Sequence, residues 1–358
     1  MWGRRVVIRG SAVLAAAALA AGGAQLPASA TSRSSWHADA VAALSPGTIN
    51  VAVSPRGSAA YEMVVRSATR RGPFQLRRLG LAGQPEAKGP HFPVSDIRVT
   101  AGYVWVSGAV LLSGSSFRLV LYQVDPATLR VLRSWRLTGK RSTGLQVVPV
   151  AQGPAGTVWA GFEQKLWRLN TRTGAVVRRV RLPSGLSVSD VAVDRARRHL
   201  YVSATPRLGG AVLREYSAGS GRLLATASGA PLKFSASGAA LTAVPGGVWV
   251  SYRTGMGGQT VLLRQRGLRV AALTGGRGLF NWFMLGSTRY GGGAVWLGVN
   301  SGAIGCIAPT TGRVRARARL GSMVGEGSLL GVSAARREVY ALGQSTILAI
   351  TAPSRCWR

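Results

Sequence analysis

The sequence is short of the residues that most enzyme chemistry uses. Its 358 residues include 11 Asp plus Glu, three His and two Cys. His37, His91 and His199 are too scattered to form a zinc motif by local spacing. No G-x-S-x-G elbow sits in a strand-to-helix setting, no Ser has a base near it in sequence, and no phosphate-cradling loop opens a helix. Past residue 30 no stretch has a helical period. None is an uninterrupted apolar run of the roughly 20 residues that cross a bilayer. Two cysteines cannot make a disulfide framework, so stability rests on a core. A single Cys306–Cys356 bridge is permitted in an oxidising compartment, and the sequence does not decide it.

What is abundant is arginine. Lys plus Arg total 45, for a formal charge of +34, yet only Lys88, Lys140, Lys165 and Lys233 are lysines. An Arg- and Ala-heavy chain is what GC-rich coding produces, so one reading is a solvated basic surface with no single partner. The other is attraction to polyanions, screened by salt. The expected partners are an anionic cell-wall polymer or polysaccharide, or another envelope protein. Specific nucleic-acid binding is not expected.

The first thirty residues read as a leader. Arg4, Arg5 and Arg9 precede an Ala/Val/Leu run over Ser11–Gly23, and Ala28-Ser29-Ala30 is a small-x-small cleavage motif. The expectation is a signal peptide over 1–30, of the general or twin-arginine type. One domain, 31–358, follows, secreted or extracytoplasmic, with no transmembrane segment. It is expected to be monomeric.

From there a phrase recurs: "YVWVSG" at 103, "TVWAGF" at 157, "LYVSAT" at 200, "VWVSYR" at 248, "VWLGVN" at 295 and "VYALGQ" at 339. "AAYEMVV" at 59 supplies a seventh copy. Its aromatics are Tyr61, Trp105, Trp159, Tyr201, Trp249, Trp296 and Tyr340, a mean period of about 46.5 residues. Around each lie short alternating runs and polar turns such as Asp-Pro and Thr-Gly. In "RVRARARL", Arg313, Arg315, Arg317 and Arg319 should face one way and Val314, Ala316, Ala318 and Leu320 the other.

Four strands per unit and seven units predict an all-β, seven-bladed β-propeller of four-stranded antiparallel blades. The aromatics should fill the wedges between blades. The last unit lacks a fourth strand, while "HADAVAALS" at 37 is a spare one. The ring should therefore close by pairing this N-terminal strand with the last blade, which removes a free edge.

These phrases, "VW(V/L/A)(S/G)" followed by "(D/A)P-x-T" or "TG" turns over roughly 38–358, resemble the exported seven-bladed propellers of the YVTN, NHL and streptogramin-lyase-like group. The resemblance implies ligands on the face made by second-to-third-strand and inter-blade loops. Lyases of that group use a His and a carboxylate-bound metal there. No His of this sequence falls in such a loop, so no catalytic residue, metal or cofactor is expected.

His91 reads as part of a Pro-rich linker and His199 as a solvated turn residue. Asp96 and Asp190 occupy like positions just before a first strand. They are expected either to cap entry turns or to face the channel as a pair. "GGRGLFNWFMLGSTRYGGG" at 275 departs from the repeat. Its Arg277, Phe280, Asn281 and Trp282, with Arg253 and Glu163 on nearby loops, are the candidate ligand-binding residues. The leading functional expectation is a non-enzymatic binding or interaction scaffold at the cell envelope. The alternative is a lyase- or hydrolase-type enzyme with its site at the channel-mouth face.

Overall fold

Alternating apolar and polar residues punctuated by Gly turns build strands, and 28 of them form among the described residues. The computed structural model describes residues 36–65, 73–81, 86–94, 96–113, 116–138, 147–206, 211–227, 239–254, 257–264, 267–274, 288–299, 302–321 and 329–358. The leader expected over 1–30 lies outside them. Among the described residues no helix is long and apolar enough to cross a membrane.

Strand β1 (His37–Ala43) comes first, apart from the unit that follows it. Blade 1 is β2 (Thr48–Val53), β3 (Ala59–Val65), β4 (Phe74–Gly80) and β5 (Ala87–Phe92). Blade 2 is β6 (Asp96–Thr100), β7 (Tyr103–Ser113), β8 (Ser116–Val124) and β9 (Val131–Arg136). Blade 3 is β10 (Val150–Gln152), β11 (Thr157–Phe162), β12 (Lys165–Asn170) and β13 (Val176–Arg181). Blade 4 is β14 (Leu186–Val193), β15 (His199–Pro206), β16 (Val212–Ser217) and β17 (Leu223–Ala227). Blade 5 is β18 (Ala239–Val244), β19 (Gly247–Thr254), β20 (Gly257–Arg264) and β21 (Val270–Thr274). Blade 6 is β22 (Thr288–Gly291), β23 (Ala294–Val299), β24 (Ala303–Ile307) and β25 (Val314–Arg319). The last three strands are β26 (Leu329–Ser333), β27 (Glu338–Leu342) and β28 (Thr346–Thr351).

Each of the seven sheets has four strands, all antiparallel, in sequence order from the inside out. The exception is the seventh, whose order is β1-β28-β27-β26. The N-terminal strand completes it: His37 pairs with Thr351 and Ala43 with Thr346. The ring closes as the missing fourth strand required.

The buried apolar residues fall into seven clusters, one at each seam between neighbouring blades. Every seam contains one of the recurring aromatics, and all seven are at most 3 % exposed. Six of the seven also use their polar atoms, the exception being Tyr201, whose buried Oη has no hydrogen-bond partner among the described residues. Tyr61 Oη donates to the Pro126 carbonyl (3.2 Å), Trp159 Nε1 to that of Ala218 (3.0 Å) and Trp249 Nε1 to that of Pro309 (2.9 Å). In each case the acceptor lies in a turn of the next blade. Trp105 and Trp296 instead turn back to Thr100 and Gly291, at the ends of their own inner strands.

At the last seam Tyr340 Oη reaches the Gly57 carbonyl at 3.3 Å. Gly57 has φ +65°, and a Cβ there would lie 2.3 Å from Tyr340 Oη. Gly57→Ala is therefore expected to cost about 1–3 kcal/mol, from left-handed strain plus displacement of the tyrosine. A urea titration of the two proteins measures it.

Two sequence expectations are corrected here. His91 is on β5, paired with Gln75, because the Pro-rich segment runs along an outer edge where a missing N–H costs nothing. Alternation in the fourth strands is also broken. In blades 2 to 6 the pairing slips by one residue just after the turn into the strand, leaving Leu132, Val177, Leu224, Ala271 and Arg315 as extra residues. Such a bulge puts neighbouring residues on one side. Hence Val314 is exposed, against expectation, and Arg315 is half-buried.

Candidate functional site

The sequence candidates distribute unevenly. Arg277, Phe280, Asn281 and Trp282 lie outside the described residues, as does the side chain of Arg253 on β19. Glu163 sits in the turn between β11 and β12 with φ +46°, its carboxylate 3.8 Å from Lys165 Nζ. His199 is not a solvated turn residue. It opens β15, its ring nearly parallel to Tyr201, with Nδ1 2.6 Å from the fully buried carboxylate of Glu215. The cause is register: His199 pairs with Ser217, which brings Glu215 beneath it from the neighbouring strand.

The inner strands surround a central channel with a cavity of about 680 Å³. At the position paired with the blade aromatic, five inner strands carry a small residue: Ala52, Ala151, Ala192, Thr242 and Gly331. Blades 2 and 6 carry arginine there, Arg98 and Arg289. Of the small residues, Ala52, Ala151 and Ala192 line the cavity, and so do the two arginines.

Arg98 spans the channel. Its Nε is 3.9 Å from Asp96 in its own blade, and its Nη1 is 3.4 Å from Asp190 in blade 4. Asp96 and Asp190 thus do face the channel as a pair, and Asp190 is also a cap. It accepts the Leu241 N–H at 2.8 Å from blade 5 and the Val191 N–H at 2.9 Å. Asp96 accepts from Asn50 Nδ2 and Ser107 Oγ, both at 3.3 Å. Burial holds its carboxyl above the usual range, opposed by Arg98 and these two donors.

Arg289 differs. Its Nη1 donates to the Thr288 carbonyl at 2.9 Å, its one hydrogen-bond partner among the described residues. It is exposed, yet protein surrounds its guanidinium; the surface it exposes is the wall of the channel. Burial first, and the nearby Arg98 charge second, pull its pKa down to about 10, with Asp190 opposing. It is charged at neutral pH. With Asp194, Arg195 and Arg197 from the β14–β15 turn, three carboxylates and four guanidiniums line this bore, an arrangement suited to recognition of charge.

No family model and no curated protein matches this chain. The fold is shared. BamB from Moraxella catarrhalis is similar in structure, with a TM-score of 0.55 over 85 % of this chain and 84 % of that one, at 16 % identity. As 1338 solved chains match, the likeness establishes architecture and does not discriminate among functions.

The outer circumference is the second notable surface. Arg136, Arg178, Arg179, Arg181, Arg313, Arg317 and Arg319 are exposed on or beside the fourth strands. Arg179 also covers the Trp167 ring at 5.3 Å. Two other arginines of the fourth strands, Arg133 and Arg315, do not join them. Arg133 donates to the Thr171 and Arg172 carbonyls of blade 3, locking two blades together. Arg315, at its bulge, donates to the carbonyls of Gly293 (2.9 Å) and Arg358 (2.8 Å). Between the exposed arginines the bulges push out aliphatic side chains: Val131, Leu132, Val177, Leu223 and Leu224.

Proposed function

We propose that this protein is an exported, non-enzymatic binding scaffold of the cell envelope, akin to the YVTN/NHL-like propellers. Residues 1–30 act as its signal peptide and 31–358 as the working, monomeric domain. The observation that supports this reading is the belt. Exposed guanidiniums and exposed aliphatic side chains lie side by side on the fourth strands of blades 2, 3 and 6. Guanidiniums bind carboxylate and phosphate as planar forks. A wall polymer carrying such groups, or an envelope protein with an acidic surface, would engage several at once.

Polyanion binding through separate surface charges falls steeply with salt, as the displaced counterions return. The protein is expected to be retained on heparin or purified anionic wall polymer at low ionic strength and released as salt rises. Changing Arg178, Arg181, Arg317 and Arg319 together to Gln should lower the eluting salt concentration and flatten the salt dependence. Retention indifferent to both salt and the four substitutions would remove the belt from this account.

A further inference from the structure

We propose that the central channel holds a binding site for a small organic oxyanion, with Arg289 as its principal anchor. This goes beyond the belt and does not depend on it: the belt lies on the outermost strands, the site on the innermost.

The argument starts from the register. Seven inner strands place a residue at the level of the blade aromatic. Five of these are small and two are arginine, and at this level the cavity is lined by Ala52, Ala151 and Ala192 together with Arg98 and Arg289. The two arginines have different partners. Arg98 lies between Asp96 and Asp190, so its charge is balanced by the protein. Arg289 meets a backbone carbonyl and has no carboxylate within ion-pair distance among the described residues. A charge confined among protein groups without a counter-charge is costly, and the depressed pKa of Arg289 reflects the same crowding. An anion entering the bore would relieve this by pairing with the free fork of Arg289.

The size and the remaining lining define the class of ligand. A cavity of about 680 Å³ falls within the range of sites for small molecules. Beyond the charged groups it presents the amides of Asn50 and Gln152 and the hydroxyl of Thr100, partners for hydroxyl groups. Asp96, Asp190 and Asp194 disfavour a ligand of high negative charge, while Arg195 and Arg197 on the β14–β15 turn add positive charge to that of Arg289. The chemistry that fits is one carboxylate or phosphate on a hydroxylated body.

The test uses the chain from residue 31 onward. Isothermal titration is run with sodium glucuronate, with inorganic phosphate and with glucose. Saturable binding of glucuronate, of phosphate or of both is expected, and none of glucose. Glucuronate alone would identify a carboxylate ligand, and phosphate alone a phosphoryl one. Arg289→Gln should weaken that binding by about tenfold or more, the worth of a charged hydrogen bond. Removing an uncompensated charge should leave the melting temperature unchanged or raised, which checks the fold. Arg289→Lys keeps the charge without the fork and should give an intermediate loss. Arg317→Gln, on the belt, should bind like the parent. The proposal is overturned if neither anion binds at 10 mM (about a hundredfold above a typical small-ligand affinity). It is equally overturned if Arg289→Gln binds undiminished, or if Arg317→Gln loses as much as Arg289→Gln does.

Discussion

A chain that begins at Leu44 should melt well below one that begins at Trp36. The difference between them is β1 and the Trp36 ring. β1 makes six paired positions with β28, whose Ile347, Leu348, Ala349 and Ile350 are at most 6 % exposed. Without β1 that sheet is left with three strands and an apolar edge open to water. Backbone hydrogen bonds contribute about 1 kcal/mol each net, and the uncovered apolar surface adds to them. The loss should be several kcal/mol, or roughly 10 °C or more in melting temperature. Trp36 deepens it, since its ring packs edge-on against Trp296 at 6.3 Å, in the seam between blades 6 and 7. Calorimetry of the two proteins decides the matter. Coincident melting curves would mean that the pairing of His37 through Ala43 with β28 does not hold the ring shut.

The second large effect should come from the disulfide. Cys306 on β24 and Cys356 in the 3-10 turn at Ser354–Trp357 are both fully buried and bonded, with Cα atoms 5.7 Å apart. The bridge closes a loop with a sequence separation of 50, for which chain entropy gives on the order of 4 kcal/mol. It does not act alone at this corner. Trp357 packs on Trp296 at 4.6 Å, and Arg315 grips the terminal carbonyl. Changing both cysteines to serine should lower the melting temperature by several degrees, on the order of 5–10 °C. The same loss should appear in the parent protein under a strong reductant. Two alkylatable thiols in the unreduced protein would show that the bond is absent.

The architecture was legible in the sequence because it rests on repetition. Seven aromatics at a near-constant interval locate seven seams, and a spare strand at one end with a missing strand at the other locates the closure. What was not legible depends on register within a blade. Arg315 reads as one of four alternating arginines, but a single extra residue at the start of β25 turns it toward the chain end. His199 reads as a turn residue, since nothing in the chain around it mentions Glu215. The channel arginines left a faint trace. Arg98 precedes Trp105 by the same interval as Arg289 precedes Trp296, and their two indoles alone turn back on their own inner strands. Thr242 precedes Trp249 by that interval too, but in blades 1, 3, 4 and 7 the intervening turn is longer, which blurs the alignment and hides the contrast with Ala52, Ala192 and Gly331.

The pairing of His37 with Thr351 also sets an order of events. Six blades are each built from one contiguous stretch, and each can assemble as soon as its own strands exist. The seventh cannot. Its outer strand is made first and its inner three last, so β1 waits without a partner while nearly the whole chain is synthesised. The entropic cost of so long a loop grows only slowly with length, but the search is slow. During it both β1 and β28 present unpaired edges, the state most prone to misassociate. For a chain that crosses the membrane unfolded, as the general export route would have it, this delay has a use. The ring cannot finish closing before its last residues have left the cell, so the final folding step and the completion of transport coincide.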